Sequence, residues 1–254
     1  MENRTALRRA LCFAVLICCG LTALCQDATQ CTSPDEMKAR LRGTPTVDAY
    51  NDLGIWFAKQ EKYGCAADAF GSSLQLDTKQ PDVKNVIFMF GVSLYFSGEV
   101  KDGIAALQQA EQLGYRQIKL HLVLASAFDS IHATADAEKE WRAALDMDPE
   151  YTQALDALSN DLIAAGDYPG VIAVLERPRL LGQRTPKQST NLGLAYAKTN
   201  KMEDAVRTLR DGLNTTPGSL ELANQLAELL RQQGRNEEAD SVVTLATSAA
   251  DSTK

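Results

Sequence analysis

The sequence predicts an all-α protein made of repeated helical hairpins, and three observations support this fold class. Small residues recur every 34 positions, at Gly91, Ala125, Ser159, Gly193 and Ala227. Two further sets keep the same step, one mostly small and one large and apolar: Ala137, Val171, Ala205 and Ala239, then Trp141, Leu175, Leu209 and Val243. No stretch alternates apolar and polar residues as a half-buried strand does. A fixed step of about 20–50 residues is typical of a repeat protein.

The stretch from Pro186 to Pro217 shows one hairpin most clearly. Apolar residues lie four positions apart on both sides of a polar turn. They are Leu192 and Tyr196 before the turn and Ala205, Leu209 and Leu213 after it. This spacing places each set on one face of a helix. Gly193 lies inside the first helix, where glycine costs about 1 kcal/mol relative to alanine. We therefore expect a neighbouring helix to approach Gly193 closely, with Ala205 as the contact.

The first 25 residues have the three-part pattern of a secretory signal. Three arginines, Arg4, Arg8 and Arg9, form a basic start. An apolar run from Leu11 to Leu24 follows, and small residues precede a cleavage position before Gln26. A membrane-spanning helix needs about 20 apolar residues, more than this run contains. A cleaved signal is therefore predicted, with an uncleaved anchor and a lipid-modified Cys25 as the alternatives.

Residues 26–46 are predicted to form an N-terminal arm with one short helix. The segment Ser33 to Glu36 reads as a capping box with proline at the first helical position, and Gly43 ends the helix. Four of the six cysteines lie in the signal segment, which leaves Cys31 and Cys65. In an exported protein this pair indicates a disulfide between the arm and the first hairpin. Alternatively, Cys31 is a free thiol on a loose arm and Cys65 is a small residue at the start of a helix.

Six hairpins are expected between residues 47 and 253. Their turns fall at residues 60–64, 97–99, near 132, at 166–167, at 199–201 and at 234. His132 replaces a turn glycine, and histidine is among the residues that tolerate a left-handed backbone. Pro178 must end or kink the second helix of the fourth hairpin, so we expect a bend along residues 177–186. The residues after Ala246 are too few for an additional helix that would cap the array.

The hairpin resembles the tetratricopeptide repeat (TPR). In the stretch described above, Leu192-Gly193 is followed by Tyr196, alanine opens the second helix and Pro217 closes it, which is the family's pattern. The resemblance covers residues 47 to about 253, although no unit has the family's tryptophan and only Pro149 and Pro217 keep the closing proline. It implies a right-handed α-solenoid whose concave face, lined by the first helices, binds a peptide of another protein.

By this resemblance, the first helices place two kinds of residue in the groove. The apolar set comprises Phe88, Met89, Val92, Tyr95, Phe96 and Leu122. The polar set comprises Asn160, Asn191 and Asn224. We interpret the apolar set as an exposed patch for a partner's side chains, or alternatively as residues that pack against the arm or one another. The amides are interpreted as partners for a peptide backbone, or alternatively as solvated surface.

One TPR sub-type does not fit this chain. Carboxylate-clamp members hold the C-terminal tail of heat-shock chaperones with two asparagines and three cationic residues. Asn160 and Asn191 match the asparagines, but Asp156, Glu221 and Gln225 stand at the cationic positions. Two of these three residues are acidic and would repel a carboxylate, so the sequence argues against a clamp.

Charge and residue content argue against several other functions. The formal net charge is −7, and loss of the signal with its three arginines and one glutamate would make it −9. Nucleic acid and anionic membranes are therefore poor partners. His121 is expected to be packed, and neither it nor His132 has a second ligand at metal spacing. No phosphate loop or nucleophile motif is present. We expect no enzyme activity, metal or cofactor, and we expect Glu138 and Glu140 on a solvated face.

The expected function is a non-catalytic protein-interaction scaffold, secreted or periplasmic, that binds another protein or peptide in its groove. The sequence leaves the partner and the oligomeric state open. The alternative is a structural component of an envelope assembly or polysaccharide-export machine, where related repeat proteins serve as adaptors.

Overall fold

The computed structural model describes residues 31–176 and 184–252, which form thirteen α-helices and no strand. The predicted signal and the predicted kink at Pro178 lie outside the described residues. The helices are α1 (Asp35–Leu41), α2 (Val47–Lys59), α3 (Tyr63–Leu76), α4 (Val83–Phe96), α5 (Val100–Gln112), α6 (Ile118–Ser130), α7 (Thr134–Met147), α8 (Thr152–Ala165), α9 (Tyr168–Leu175), α10 (Pro186–Lys198), α11 (Met202–Thr215), α12 (Leu220–Gln232) and α13 (Asn236–Ser252). This part of the chain confirms the predicted all-α class.

The chain divides into two compact units between Gln80 and Pro81. In the first unit, α2 and α3 form a hairpin and α1 packs against α2. In the second unit, α4 to α13 form five consecutive hairpins. Within that unit α4 packs on α6, α8 on α10, and α10 on α12. In each of these three pairs the first helices of neighbouring hairpins lie side by side, so their outward positions share a surface.

The short helix α1 lies on the surface of the first unit, and none of its residues is buried. It begins after Pro34 without a side-chain cap, so the capping box predicted from Ser33 is wrong. The guanidinium of Arg40 donates to the Asp52 carboxylate on α2 at 2.6 Å. The Sγ atoms of Cys31 and Cys65 lie 1.96 Å apart, at bonding distance, and their Cα atoms are 5.5 Å apart. The arm is therefore tied to α2 by charge and to α3 by the cystine.

Each hairpin turn contains one residue in the left-handed region of the backbone. In the second unit these residues recur every 34 positions, at Gly98, His132, Gly166, Asn200 and Gly234, with φ between 60° and 91°. Glu61 takes the same conformation in the first unit, with φ 57°. The prediction for His132 is confirmed, because its φ is 60°. The turn conformation is thus kept through the array although only three of its residues are glycine.

The two helices of a hairpin approach each other closely at the repeated small residue of the first helix. A Cβ atom on Gly91 would lie 2.9 Å from Cγ of Leu107 and 3.1 Å from the Gly103 carbonyl oxygen. The nearest atoms to a Cβ on Gly193 belong to Leu209, at 2.8 Å, rather than to Ala205 as predicted. The close approach was therefore predicted correctly, but its partner in the fifth hairpin is the large residue one turn further along.

The fourth hairpin has a short second helix. Helix α9 contains eight residues, whereas the second helices of the other hairpins contain at least 13. It begins at an Asp167 cap whose carboxylate accepts the Gly170 N–H. Helix α10 then begins with a capping box, in which Thr185 and Gln188 exchange side-chain and backbone hydrogen bonds. The N-termini of α9 and α10 are thus each fixed by a local cap.

The last helix, α13, is longer than the sequence suggested. It contains 17 residues and runs to Ser252, so the segment after Ala246 extends this helix instead of trailing from it. Its exposed positions carry mostly small polar side chains, among them Ser241, Thr244, Thr247 and Ser248. Leu245, 67% exposed, is the exception. The last described helix therefore presents a largely polar surface.

Candidate functional site

A cleft lined mostly by apolar side chains lies between α4 and α6 in the second unit, and we call it the apolar cleft. Its volume is about 530 Å³. It contains all six predicted apolar residues, together with Lys119, Val123, Ser126 and Gln153. The α4 residues recur at steps of three and four, as do Lys119, Leu122, Val123 and Ser126 on α6, so each set forms one helix face. The same spacing in the sequence would have predicted Lys119 and Ser126.

The aromatic residues of the apolar cleft differ in their exposure. Phe88 is only 7% exposed, and its ring stacks on Tyr115 with centroids 4.3 Å apart and planes 13° from parallel. Leu122 is buried as well. Phe96, at the end of α4, is 54% exposed. The expectation that Phe88 belongs to an exposed patch is wrong, because its ring packs inside and forms the cleft floor. Phe96 is the most exposed of these aromatic side chains and adds apolar area at the end of the cleft.

Tyr95 links the two helices that form the apolar cleft. Its hydroxyl donates to the Ser126 carbonyl oxygen on α6 at 3.4 Å, and its ring lies 4.9 Å from that of Phe96. Burial, with a smaller effect from Asp129, raises the pKa of Tyr95 above its ordinary value. The hydroxyl therefore stays neutral and can act as a donor at physiological pH. Tyr95 is a wall of the cleft whose position is fixed by this bond.

A second depression, which we call the acidic cleft, adjoins the apolar cleft. Its volume is about 770 Å³, and Gln153 lines both clefts. Its lining residues are Asp148, Glu150, Tyr151, Thr152, Gln153, Asp156, Ala157, Asn160 and Lys187. Asp148 accepts the backbone N–H of Glu150 at 3.1 Å, and Asp156 accepts the Gln188 amide at 2.7 Å. Sequence reasoning missed Asp148 and Glu150, since they lie in the connection before α8.

The three predicted groove asparagines occupy different environments. Asn191 is 8% exposed, and its amide donates to the side chains of Ser159 and Asn160 at 3.0 Å each. These bonds join α10 to α8, so the Asn191 donors are used inside the protein. Asn160 lines the acidic cleft, and Asn224 is exposed on α12. The structure thus brings Asn160 to a cleft but does not bring the three amides together.

His121 on α6 and Glu140 on α7 form a largely buried polar pair. Nδ1 of His121 lies 2.8 Å from Oε2 of Glu140, which joins α6 to α7. The packed position predicted for His121 is confirmed. Glu140 is 7% exposed, so its predicted place on a solvated face is wrong. Glu138 does face solvent and binds Arg142 four residues later. A buried carboxylate needs a partner, and His121 provides it.

Asp129, Glu138 and Asp161 form a group of interacting carboxylates, of which Asp129 contacts Trp141. Asp129 accepts the Trp141 indole N–H at 3.1 Å. Burial raises the pKa of Asp129, and the indole bond partly offsets this increase. In Asp161, on α8, burial raises the pKa to about 6, with smaller contributions from Asp129 and Glu138. One Asp161 oxygen is buried without a hydrogen-bond partner. This carboxylate is therefore a local source of instability at neutral pH.

In residues 31–176 and 184–252, no three His, Cys, Asp or Glu side chains are grouped so that they could hold a metal ion. Over the same ranges, no helix combines the length and the apolar character needed to span a bilayer.

Comparisons with known proteins show the fold. Neither the protein-family models nor the curated proteins give a match. A TPR protein from Parabacteroides merdae is 13% identical, with a TM-score of 0.60 over 77% of each chain. YrrB, described as a TPR protein with an unusual peptide-binding site, is 16% identical, with a TM-score of 0.57 over 75% of this chain and 97% of that one. MamA from Desulfovibrio magneticus is 14% identical, with a TM-score of 0.56 over 68% and 97%.

These likenesses concern the architecture of the chain. At such identities, they confirm the predicted TPR fold of sequential helical hairpins.

Proposed function

We propose that this chain is a non-catalytic interaction scaffold that binds an apolar segment of another protein in the apolar cleft. The observation that carries the proposal is the cleft itself, formed by outward positions of two neighbouring first helices and ending in the exposed ring of Phe96. Concave apolar clefts with a few polar groups are the usual binding sites of proteins. TPR hairpins supply such a surface from their first helices, and the related fold of YrrB is described as having a peptide-binding site.

The energetics favour occupation of the cleft. Complete burial of a large apolar side chain contributes about 1.5–3 kcal/mol, and Phe96, which is 54% exposed, can bury further apolar area against a bound segment. The Phe88 ring that lines the cleft is already packed against Tyr115, so binding does not have to order it. A preformed site loses less conformational entropy on binding.

A peptide selection tests the proposal. Random 12-residue peptides displayed on phage are enriched on the protein, and the tightest are measured by fluorescence anisotropy. We expect Phe96→Glu to weaken binding at least about tenfold, because it places a charge in an apolar contact. Leu245→Glu on α13 is the matched control, since it introduces the same change at an exposed leucine far along the chain. Equal binding by both variants, or no enrichment at all, would contradict the proposal.

We further propose that the protein acts outside the cytoplasm. The basic start, the apolar run and the small residues before Gln26 support export, and the bonding distance between Cys31 and Cys65 fits an oxidising compartment. Mass spectrometry of the protein from its source cells should show a chain that begins at Gln26. A chain that retains Met1 in the cytoplasmic fraction would contradict export. A free soluble pool supports the scaffold, whereas a complex that needs detergent supports an envelope assembly.

A further inference from the structure

We infer that the segment bound in the apolar cleft continues into the acidic cleft with lysine or arginine side chains. The inference rests on the proposed function and specifies the chemistry of its partner: an apolar sequence followed by cationic residues. Three features of the second unit support it. They are the contact between the two clefts, the lack of cationic partners for the carboxylates of the acidic cleft, and the positions of the neighbouring lysines.

The two clefts form one continuous surface. Gln153 on α8 lines both, with the apolar residues of α4 and α6 on one side and the carboxylates of the acidic cleft on the other. An extended peptide of 12 residues spans up to about 40 Å, which is long enough to occupy two adjoining clefts. A segment anchored beside Phe96 and Leu122 therefore has the acidic cleft within reach.

The carboxylates of the acidic cleft have no cationic partner among the described residues. Asp148 and Glu150 are exposed, and Asp148 accepts only a backbone N–H. Asp156 accepts a neutral amide from Gln188. Elsewhere on the described surface, Arg142, Arg207, Arg210, Arg231 and Arg235 pair with nearby carboxylates. The acidic cleft brings three carboxylates, Asp148, Glu150 and Asp156, to one concave surface, where a cationic ligand could neutralise them.

Two lysines limit where the positive charges of the ligand can lie. Lys119 borders the apolar cleft and Lys187 borders the acidic cleft on the α10 side. Like charges repel, so basic residues are disfavoured beside Lys119 and favoured near Asp148 and Glu150. Asp156 occupies a position where a carboxylate clamp would need a cation, and its negative charge makes this surface select ligands of the opposite sign.

The peptide selection described above also tests this inference. The tightest peptides are measured against Asp148→Asn with Glu150→Gln, and against Glu203→Gln with Glu237→Gln as the control. Both double variants remove two exposed negative charges with little change in shape. We expect the enriched peptides to contain excess Lys and Arg beside their apolar residues. The first variant should weaken binding about 3–10-fold, since an exposed charge pair contributes about 1.4–5-fold, and the control should leave it unchanged.

Ionic strength provides a second readout, because high salt screens exposed charges. The difference between wild type and the first variant should shrink when NaCl is raised from 50 to about 500 mM. Enriched apolar peptides without a Lys and Arg excess, or equal binding by the two double variants, would overturn the inference and leave the proposed function intact. A failure to enrich any peptide over the Phe96→Glu variant would overturn both.

Discussion

A Cβ atom placed on Gly193 would lie 2.8 Å from Cγ of Leu209, closer than side chains pack. Leu209 is buried and cannot swing away. In the second hairpin, a Cβ on Gly91 would meet backbone as well as side-chain atoms, because the Leu107 nitrogen lies 3.0 Å away. Backbone atoms move less easily than a leucine side chain. A Cβ atom should therefore be tolerated less well at Gly91 than at Gly193.

Alanine at these positions should destabilise the protein in a graded order. Gly193→Ala gains about 1 kcal/mol of helix propensity but overpacks the hairpin, which typically costs about 1–3 kcal/mol. We expect a net loss of about 1 kcal/mol, and a larger loss for Gly91→Ala. Gly64→Ala is the control, since no atom lies within 4 Å of a Cβ there. Urea unfolding measures all three. Equal stability of the Gly91 and Gly64 variants would contradict the packing described here.

Truncation of Phe88 and truncation of Phe96 should affect stability differently, because the first ring is buried in the floor of the apolar cleft and the second is exposed at its end. Phe88→Ala removes a buried ring stacked on Tyr115 and should cost about 3 kcal/mol. Phe96→Ala removes an exposed ring and should cost less than about 0.5 kcal/mol, while it still weakens peptide binding. Thermal unfolding followed by circular dichroism gives the comparison. If Phe88→Ala is as stable as Phe96→Ala, the ring of Phe88 is not packed as the structure shows.

Asp161 should make stability depend on pH. Its pKa is about 6 in the folded chain against an ordinary value of 3.8. Between these values the unfolded carboxyl is ionised while the folded one keeps its proton, so stability falls as pH rises from about 4 to 6. Asp161→Asn removes this loss and should stabilise the protein at pH 7.5 by roughly 1 kcal/mol, after allowance for partial exposure.

The control for Asp161→Asn is the same comparison at pH 4, where the aspartic acid is protonated in the folded chain and the advantage should largely disappear. The melting temperature at pH 7.5 should rise by about 2–4 °C. An equal effect at both pH values would show that the carboxylate charge is not the cause.

The cystine should stabilise the first unit. It closes a loop of 34 residues, for which chain entropy gives about 3–4 kcal/mol. Cys31→Ser should lower the melting temperature of the protein, and dithiothreitol should lower that of the wild type by a similar amount without affecting the variant. Unfolding of the wild type that is unchanged by reductant would contradict the bond.

The sequence was most informative where the chain repeats. The 34-residue step predicted the hairpins and the left-handed turn at His132, because those features depend on local spacing. It did not predict the burial of Phe88, whose partner Tyr115 lies between α5 and α6, outside the repeated positions. Nor did it place Glu140 inside the protein, since its partner His121 lies on another helix. Contacts between elements decide such cases, and a periodic pattern does not contain them.

The two histidines of this chain lie in contrasting places. His132 occupies an exposed turn, whereas His121 lies within α6 immediately before Leu122 and is held by Glu140. The His121 imidazole lies on the helix that lines the apolar cleft, so its NMR resonance can report a shift of α6, while the resonance of His132 serves as an internal reference. Occupancy of the cleft can be followed in the unmodified protein, without any added label.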